Sequence, residues 1–298
     1  MIDVSPPPRW LPPALVRLTL RAVLATAVSV AGLPIFLANG APASAASGVS
    51  PARAVAGRTA PVDVPAQLNI FSSSLLRYQD PNYSACTAAA AQTMLNFVSH
   101  AGSGGADFRW TRSVSGTLRD SILAWERSHD TMSGGRGSDP HGWRNALNYY
   151  GWGPGSLVAG QRVYDDFSFN TYELAVKAAV RAMIMTRKPV GLLAWAGRHA
   201  QFVHGYYGLS GDPFEKDSAG RYTNRFTFSG FYLTDPLRSS KAANLRISYT
   251  NLRDTSTTRF RLRRYYETDS LLDDPYTPGT KRSVDEWYGL FVLILPVR

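Results

Sequence analysis

An α+β fold is predicted by the order in which two periodicities appear along the chain. Between residues 79 and 187 the apolar residues recur at helical spacing, and from residue 190 onward they form short strand-like runs. Composition agrees with a packed domain: 44% of the 298 residues are hydrophobic and 18% are charged, enough to bury a sizeable core. Helices first and strands afterwards indicate N-terminal helices packed on a C-terminal antiparallel sheet.

The first residues read as a leader. Arg9, Arg17 and Arg21 precede an apolar run from Ala22 to Ala38, and Ala43-Ser44-Ala45 offers a small-x-small cleavage site. Charged start, apolar middle and small-residue exit describe a secretory signal peptide over 1–45, with an uncleaved anchor as the alternative. No adjacent arginine pair supports the twin-arginine route. Residues 46–66 are rich in Ala, Pro, Gly, Ser and Val without a period and read as a flexible linker. One domain over 67–298 remains. The protein is therefore expected to be secreted, with attachment to the cell envelope as a second option.

Val64 to Ile70 predicts a first short strand. Gln79 to Val98 then passes from a polar turn (Pro81, Asn82, Ser84) into a helix whose buried face is Ala91, Met94, Leu95 and Val98. Ala101 to Gly105 breaks the pattern. Leu118, Ile122 and Trp125 mark a helix over about 115–128, and Ser133 to Ser138 is a Gly-rich loop without the Lys-Ser/Thr ending that cradles phosphate. Asp139-Pro140 opens a helix with face Trp143, Ala146, Leu147 and Tyr150, ended by Gly151. Asn170 with Glu173 resembles a capping box for a helix over 171–187, stopped by Pro189. Strands are predicted at Val190 to Trp195, His199 to Tyr207, Phe226 to Thr234, Leu245 to Tyr249 and Arg259 to Tyr265. Leu290 to Leu295 is continuously apolar, as a central strand should be.

The chemistry centres on Cys86, the single cysteine of the chain. It stands where the turn becomes a helix, and a thiol there meets unpaired N–H groups and the positive end of the dipole. Exported proteins normally use cysteines in pairs, so a lone thiol favours reactivity over packing, the plain alternative. A thiol nucleophile needs a base and the base an orienter. Of the five histidines, His100, His129 and His141 lie after or at the start of helices and read as surface or capping residues. His199 opens a strand after Gly197-Arg198, where it can line a cleft. His204 lies mid-strand in register with Ala200, Phe202 and Tyr206 and reads as a packed residue, so His199 is the preferred base. Asp235, closing a strand before Pro236, is the leading orienter, with a simple strand terminator as its alternative.

The order C-x-A-A-A-A-Q-x-M-L-N-F from Cys86, then G-x-H-A-x-x-V-x-G-Y from Gly197, then strand-Asp-Pro, resembles the bacteriocin-processing-peptidase-like branch of the papain-like cysteine peptidases. The resemblance spans roughly Val64 to Pro236. It implies a papain-like fold, a Cys-bearing helix packed on an antiparallel sheet that bears His and Asp. It further implies Cys86 as nucleophile, His199 as base, Asp235 as orienter, and Gln79 as the side chain completing the oxyanion hole. Two departures leave substrate choice open: Thr87-Ala88 follows the cysteine where relatives often have Gly-Pro or Trp-Ala, and the segment before the His strand is long.

The expected activity is that of a secreted thiol hydrolase, most simply a cysteine peptidase acting on a peptide or protein substrate without cofactor. An envelope amidase or acyltransferase, or a catalytically silent module binding peptide or envelope glycan, are the alternatives. Metal and serine chemistries are disfavoured: no H-E-x-x-H, paired-cysteine set, close His–carboxylate set or G-x-S-x-G occurs. The net charge of +10 falls to +8 without residues 1–45, which carry three arginines and one aspartate. The basic residues scatter, apart from Arg259, Arg261, Arg263 and Arg264. Without an aromatic-interleaved groove they exclude a nucleic-acid partner and read as a solvated strand face, open to weak contact with anionic envelope polymers.

Overall fold

The computed structural model describes residues 64–101, 116–131, 137–237, 241–253, 261–267 and 286–298. The leader and nearly all of the linker, Gly102 to Gly105, Ser133 to Arg136 and Arg259 lie outside them. The chain is α+β, with an antiparallel sheet of seven strands. These are β1 (Leu68–Asn69), β2 (Tyr164–Phe169), β3 (Val190–Ala194), β4 (His199–Tyr207), β5 (Gly230–Thr234), β6 (Leu245–Ser248) and β7 (Phe291–Pro296). The helices are α1 (Cys86–His100), α2 (Gly116–His129), α3 (Pro140–Trp152), α4 (Tyr172–Thr186) and the single turn α5 (Tyr249–Leu252).

The strands run in the order β2-β7-β3-β4-β5-β6. β1 joins β4 beyond the end of β3, pairing Leu68 with Tyr206 and Asn69 with Gly205. That edge needs Gly205, because a Cβ there would fall 2.2 Å from the Leu68 carbonyl oxygen.

Two hydrophobic layers cover the two faces of this sheet. On one, α1 and α3 pack Met94, Phe97, Trp143 and Leu147 against Leu193, Phe202, Val292 and Ile294, with Ile122 of α2 in the same layer. On the other, α4 packs Val176, Val180 and Met183 against Leu192, Val203, Phe231, Leu293 and Leu295. β7 alternates between the layers residue by residue, so every position is apolar and the run reads as continuous. The helices are thus split between the faces, α1, α2 and α3 on one and α4 with α5 on the other, rather than forming one N-terminal layer.

Local chemistry sets most element ends. The Asp139 carboxylate accepts the Gly142 N–H at 2.7 Å and starts α3. Gly151 lies inside that helix, and Gly153, at φ 81°, ends it. Thr171, not Asn170, caps α4 through the Leu174 N–H. α1 has no side-chain cap at all: Ala85 precedes Cys86, and Asn82 is spent upstream on the Ser84 N–H. Residues 261–267 make bridges but no strand, and β2 carries three acidic or hydroxyl residues that hide its alternation.

A bulge in β4 governs the site. Val203 pairs with Leu233 but Gly205 pairs with Tyr232, so His204 is an extra residue on its strand. The faces exchange there. Phe202 belongs to the α1 layer whereas Tyr206 belongs to the α4 layer, correcting the expectation that they share a side. Among the described residues, no helix is long and apolar enough to cross a membrane.

Candidate active site

Cys86 is the first residue of α1 and is buried. A run of alanines behind it, Ala88 to Ala91, lets the helix lie close on β4, which brings the thiol to the start of that strand. Burial alone would raise its pKa. A hydrogen bond from the His199 side, the charge of His199 and N–H groups of Ala200 and Thr87 outweigh this, and the thiol sits below its ordinary value.

His199 is 4% exposed and its Nε2–H donates to Asp235 Oδ1 at 2.8 Å. With Nε2 committed to the carboxylate, Nδ1 is the nitrogen left for the thiol. Burial pulls the imidazole down, but the bond to Asp235 and the bond and charge of Cys86 push it up to about 9. Asp235 is held in turn: Oδ1 also accepts the Leu237 N–H at 2.8 Å, and Oδ2 accepts Gln201 Nε2 at 2.8 Å. Phe202 pairs with Thr234, so Gln201 and Asp235 sit opposite one another one step further along. Gln201 was not singled out by sequence, although its place two residues after His199, on the same strand face, was a usable signal.

Gln79 is buried beside this group, its N–H donating to the Pro236 carbonyl at 2.9 Å. Its side-chain Nε2 donates to the Tyr83 carbonyl at 3.2 Å, which spends one N–H and leaves the second. The four expected residues thus converge, with Gln79 anchored through backbone rather than lining the cavity in front of the thiol.

That cavity encloses about 230 Å³ and is bordered by Cys86, Thr87, Asp130, Asp139, Arg198 and His199. Behind Thr87 lies an acid that sequence reasoning passed over. Glu126 is fully buried, and its Oε2 accepts the Thr87 hydroxyl at 2.6 Å. Burial holds it well above the usual carboxylate range, with Cys86, Asp130 and Asp139 adding to the shift against the Thr87 bond. It follows Ile122 at i+4, so a carboxyl on the apolar face of α2 was legible as an anomaly.

His204 is packed, as expected. Its ring lies against Phe97, Phe71 and Phe202, and it meets Asn69 Oδ1 at 3.2 Å and Thr234 Oγ1 at 3.1 Å. His129 is half-buried and stacked on Trp125 at 3.7 Å, and His100 is exposed.

His141 departs from its expected surface or capping place. It is buried, with Nδ1 2.6 Å from Thr131 Oγ1 and Nε2 3.6 Å from Asp166 Oδ2 and 3.7 Å from Glu286 Oε2. The fold therefore assembles a His–carboxylate set that no sequence spacing announces, its donor atoms within 4.8 Å of one another. Asp166 is already compensated there by Arg144 at 2.6 Å and Trp287 Nε1 at 3.1 Å. The set suits a buried hydrogen-bonded ion network as well as it suits a divalent cation. Compared with known proteins, the chain matches no family model, no curated sequence and no solved structure.

Proposed function

We propose that the protein is a secreted, papain-like thiol hydrolase, most simply a cysteine peptidase. One observation carries the reading: thiol, imidazole and carboxylate form a continuous hydrogen-bonded chain, Cys86–His199–Asp235, opening on a cavity. The depressed thiol and the raised imidazole both favour the thiolate–imidazolium form of the pair over the neutral one.

In the proposed cycle the Cys86 thiolate adds to the carbonyl carbon of the scissile amide. The oxyanion so formed takes a hydrogen bond from the Cys86 N–H. Imidazolium His199 gives its proton to the leaving nitrogen as the C–N bond breaks, leaving a thioester. Neutral His199 then takes a proton from water, the hydroxide adds to the thioester carbonyl, and collapse expels the thiolate and the acid product. Asp235, held by Gln201 and Leu237, keeps the ring in the required tautomer throughout.

The test is the pH dependence of Cys86 alkylation by iodoacetamide in the purified protein and in His199→Ala. The wild type should react fast below about pH 7, and the variant only near the free-thiol value of about 8.5. Slow and identical profiles would reduce Cys86 to a packing residue and leave a peptide- or glycan-binding module. Mass analysis of products from a peptide library, with and without an added amine acceptor, separates peptidase from acyltransferase.

A further inference from the structure

Two carboxyl groups, Asp130 and Asp139, border the cavity of the thiol, and a third, Glu126, lies behind Thr87. Asp139 is fully used, its Oδ1 accepting the Gly142 N–H and its Oδ2 accepting the Thr131 N–H and hydroxyl. Glu126, fully buried, gives Oε2 to Thr87 on the cavity wall, and its Oε1 has no hydrogen-bond partner. Asp130 borders the cavity directly and, among the described residues, no hydrogen bond or ion pair reaches its carboxylate.

The charge of Arg127 acts on Asp130, but among the described residues no cation forms an ion pair with it. Across the cavity Arg198 Nε binds Glu267 Oε1 at 2.6 Å, Arg127 Nε reaches the Gly137 carbonyl at 3.3 Å, and buried Arg144 serves Asp166. His199 serves Asp235 and the thiol. Asp130 is thus a carboxyl at the edge of the cavity with no counter-ion, and its burial beside Asp139 penalises the charged form. A cation arriving with the substrate would remove that penalty.

We propose that the cavity recognises a cationic group of the substrate, a lysine- or arginine-type side chain or a free amine next to the scissile carbonyl, with Asp130 as its counter-ion. This rests on the thiol-hydrolase reading above and names its substrate class. In the empty cavity burial and the neighbouring Asp139 outweigh the charge of Arg127 and hold Asp130 up to about 8, so the site waits largely protonated. An entering ammonium or guanidinium displaces that proton and forms a charge-assisted hydrogen bond with the carboxylate.

Methanethiosulfonates of different charge test this without any turnover. The Cys86 thiolate attacks the sulfenyl sulfur and expels methanesulfinate, leaving a mixed disulfide whose substituent sits in the cavity. Rates for the cationic 2-aminoethyl, neutral methyl and anionic 2-sulfonatoethyl reagents are measured at about pH 8.5, each relative to 2-mercaptoethanol. The cation-to-anion ratio should exceed one by about tenfold, against the +10 charge of the whole chain, because a unit charge at close range is worth about that much. Asp130→Asn should bring the ratio near one and Asp130→Lys should invert it. A ratio near one in the wild type, or unchanged in both variants, overturns the inference and leaves the nucleophile intact. Inertness towards the neutral reagent overturns the hydrolase reading and this inference with it. Peptides differing only by lysine, norleucine or glutamate at one position provide a second readout: lysine should give the highest kcat/KM in the wild type and lose that lead in Asp130→Asn.

Discussion

His199 and His204 lie on the same strand, five residues apart, and both are buried, yet their acidities are moved in opposite directions. Burial pulls both imidazoles down, and for His204 only a hydrogen bond with its own backbone opposes it: among Asn69, Thr234 and three phenylalanine rings it stays neutral, at about 3. For His199 one carboxylate and one thiol reverse the sign and lift it to about 9. Burial thus sets the penalty for charge, and the partner decides whether the penalty is overcome. A histidine among phenylalanines and one paired with a carboxylate and a thiol differ by neighbours placed just after β5 and at the start of α1, segments far from the start of β4 in sequence.

Asp235→Asn should break the contrast most strongly. It keeps an acceptor for Nε2 but removes the charge, so NMR titration should find His199 well below 9, and alkylation of Cys86 near pH 6 should slow by about a hundredfold. Stability follows the same linkage. His199 carries a folded pKa above its unfolded value of about 6.5, so its contribution is complete below that pH and is lost as pH rises through about 9. Wild type should therefore exceed Asp235→Asn by about 2 kcal/mol near pH 6, in urea unfolding, with the gap closing above pH 9. If the gap is independent of pH, the carboxylate is a strand terminator and nothing more.

His204→Leu attacks the other half. It removes one hydrogen bond each from Asn69 and Thr234, which keep the Phe71 and Asn244 N–H groups, and should cost about 1–3 kcal/mol of stability, while the pH profile of Cys86 alkylation stays where it was. A shifted profile would mean that the two histidines are coupled through the bulge.

Gln201→Leu sharpens the comparison with the smallest effect. It removes one of the donors that fix Asp235 and should lower kcat/KM by about tenfold, with the alkaline limb of the alkylation profile moving to lower pH. Loss of activity without movement of that limb would assign Gln201 a purely structural place.

The chemical identity of the site was legible because each residue type announced itself locally. Cys86 stood at a helix start, His199 at a strand start and Asp235 before a proline, and only a few such positions exist in the chain. Element types were also readable, since periods of 3.6 and 2 survive in single sequences. Caps were less so. Asn170 and Thr171 are adjacent candidates, and which one turns its oxygen on a free N–H depends on the direction from which β2 delivers the chain.

What the sequence by itself determined, then, is the α+β order of elements and the residues able to do thiol chemistry, because both follow from local conformational preference and side-chain reactivity. Tertiary structure alone decided the rest. The bulge at His204, the division of helices between the two faces, the grip of Gln201 on Asp235, the burial of Glu126 and the meeting of His141 with Asp166 and Glu286 join positions 25 to 145 residues apart. Such contacts are fixed by which surfaces pack and which charges must be compensated inside, and no single residue's neighbours along the chain carry that information.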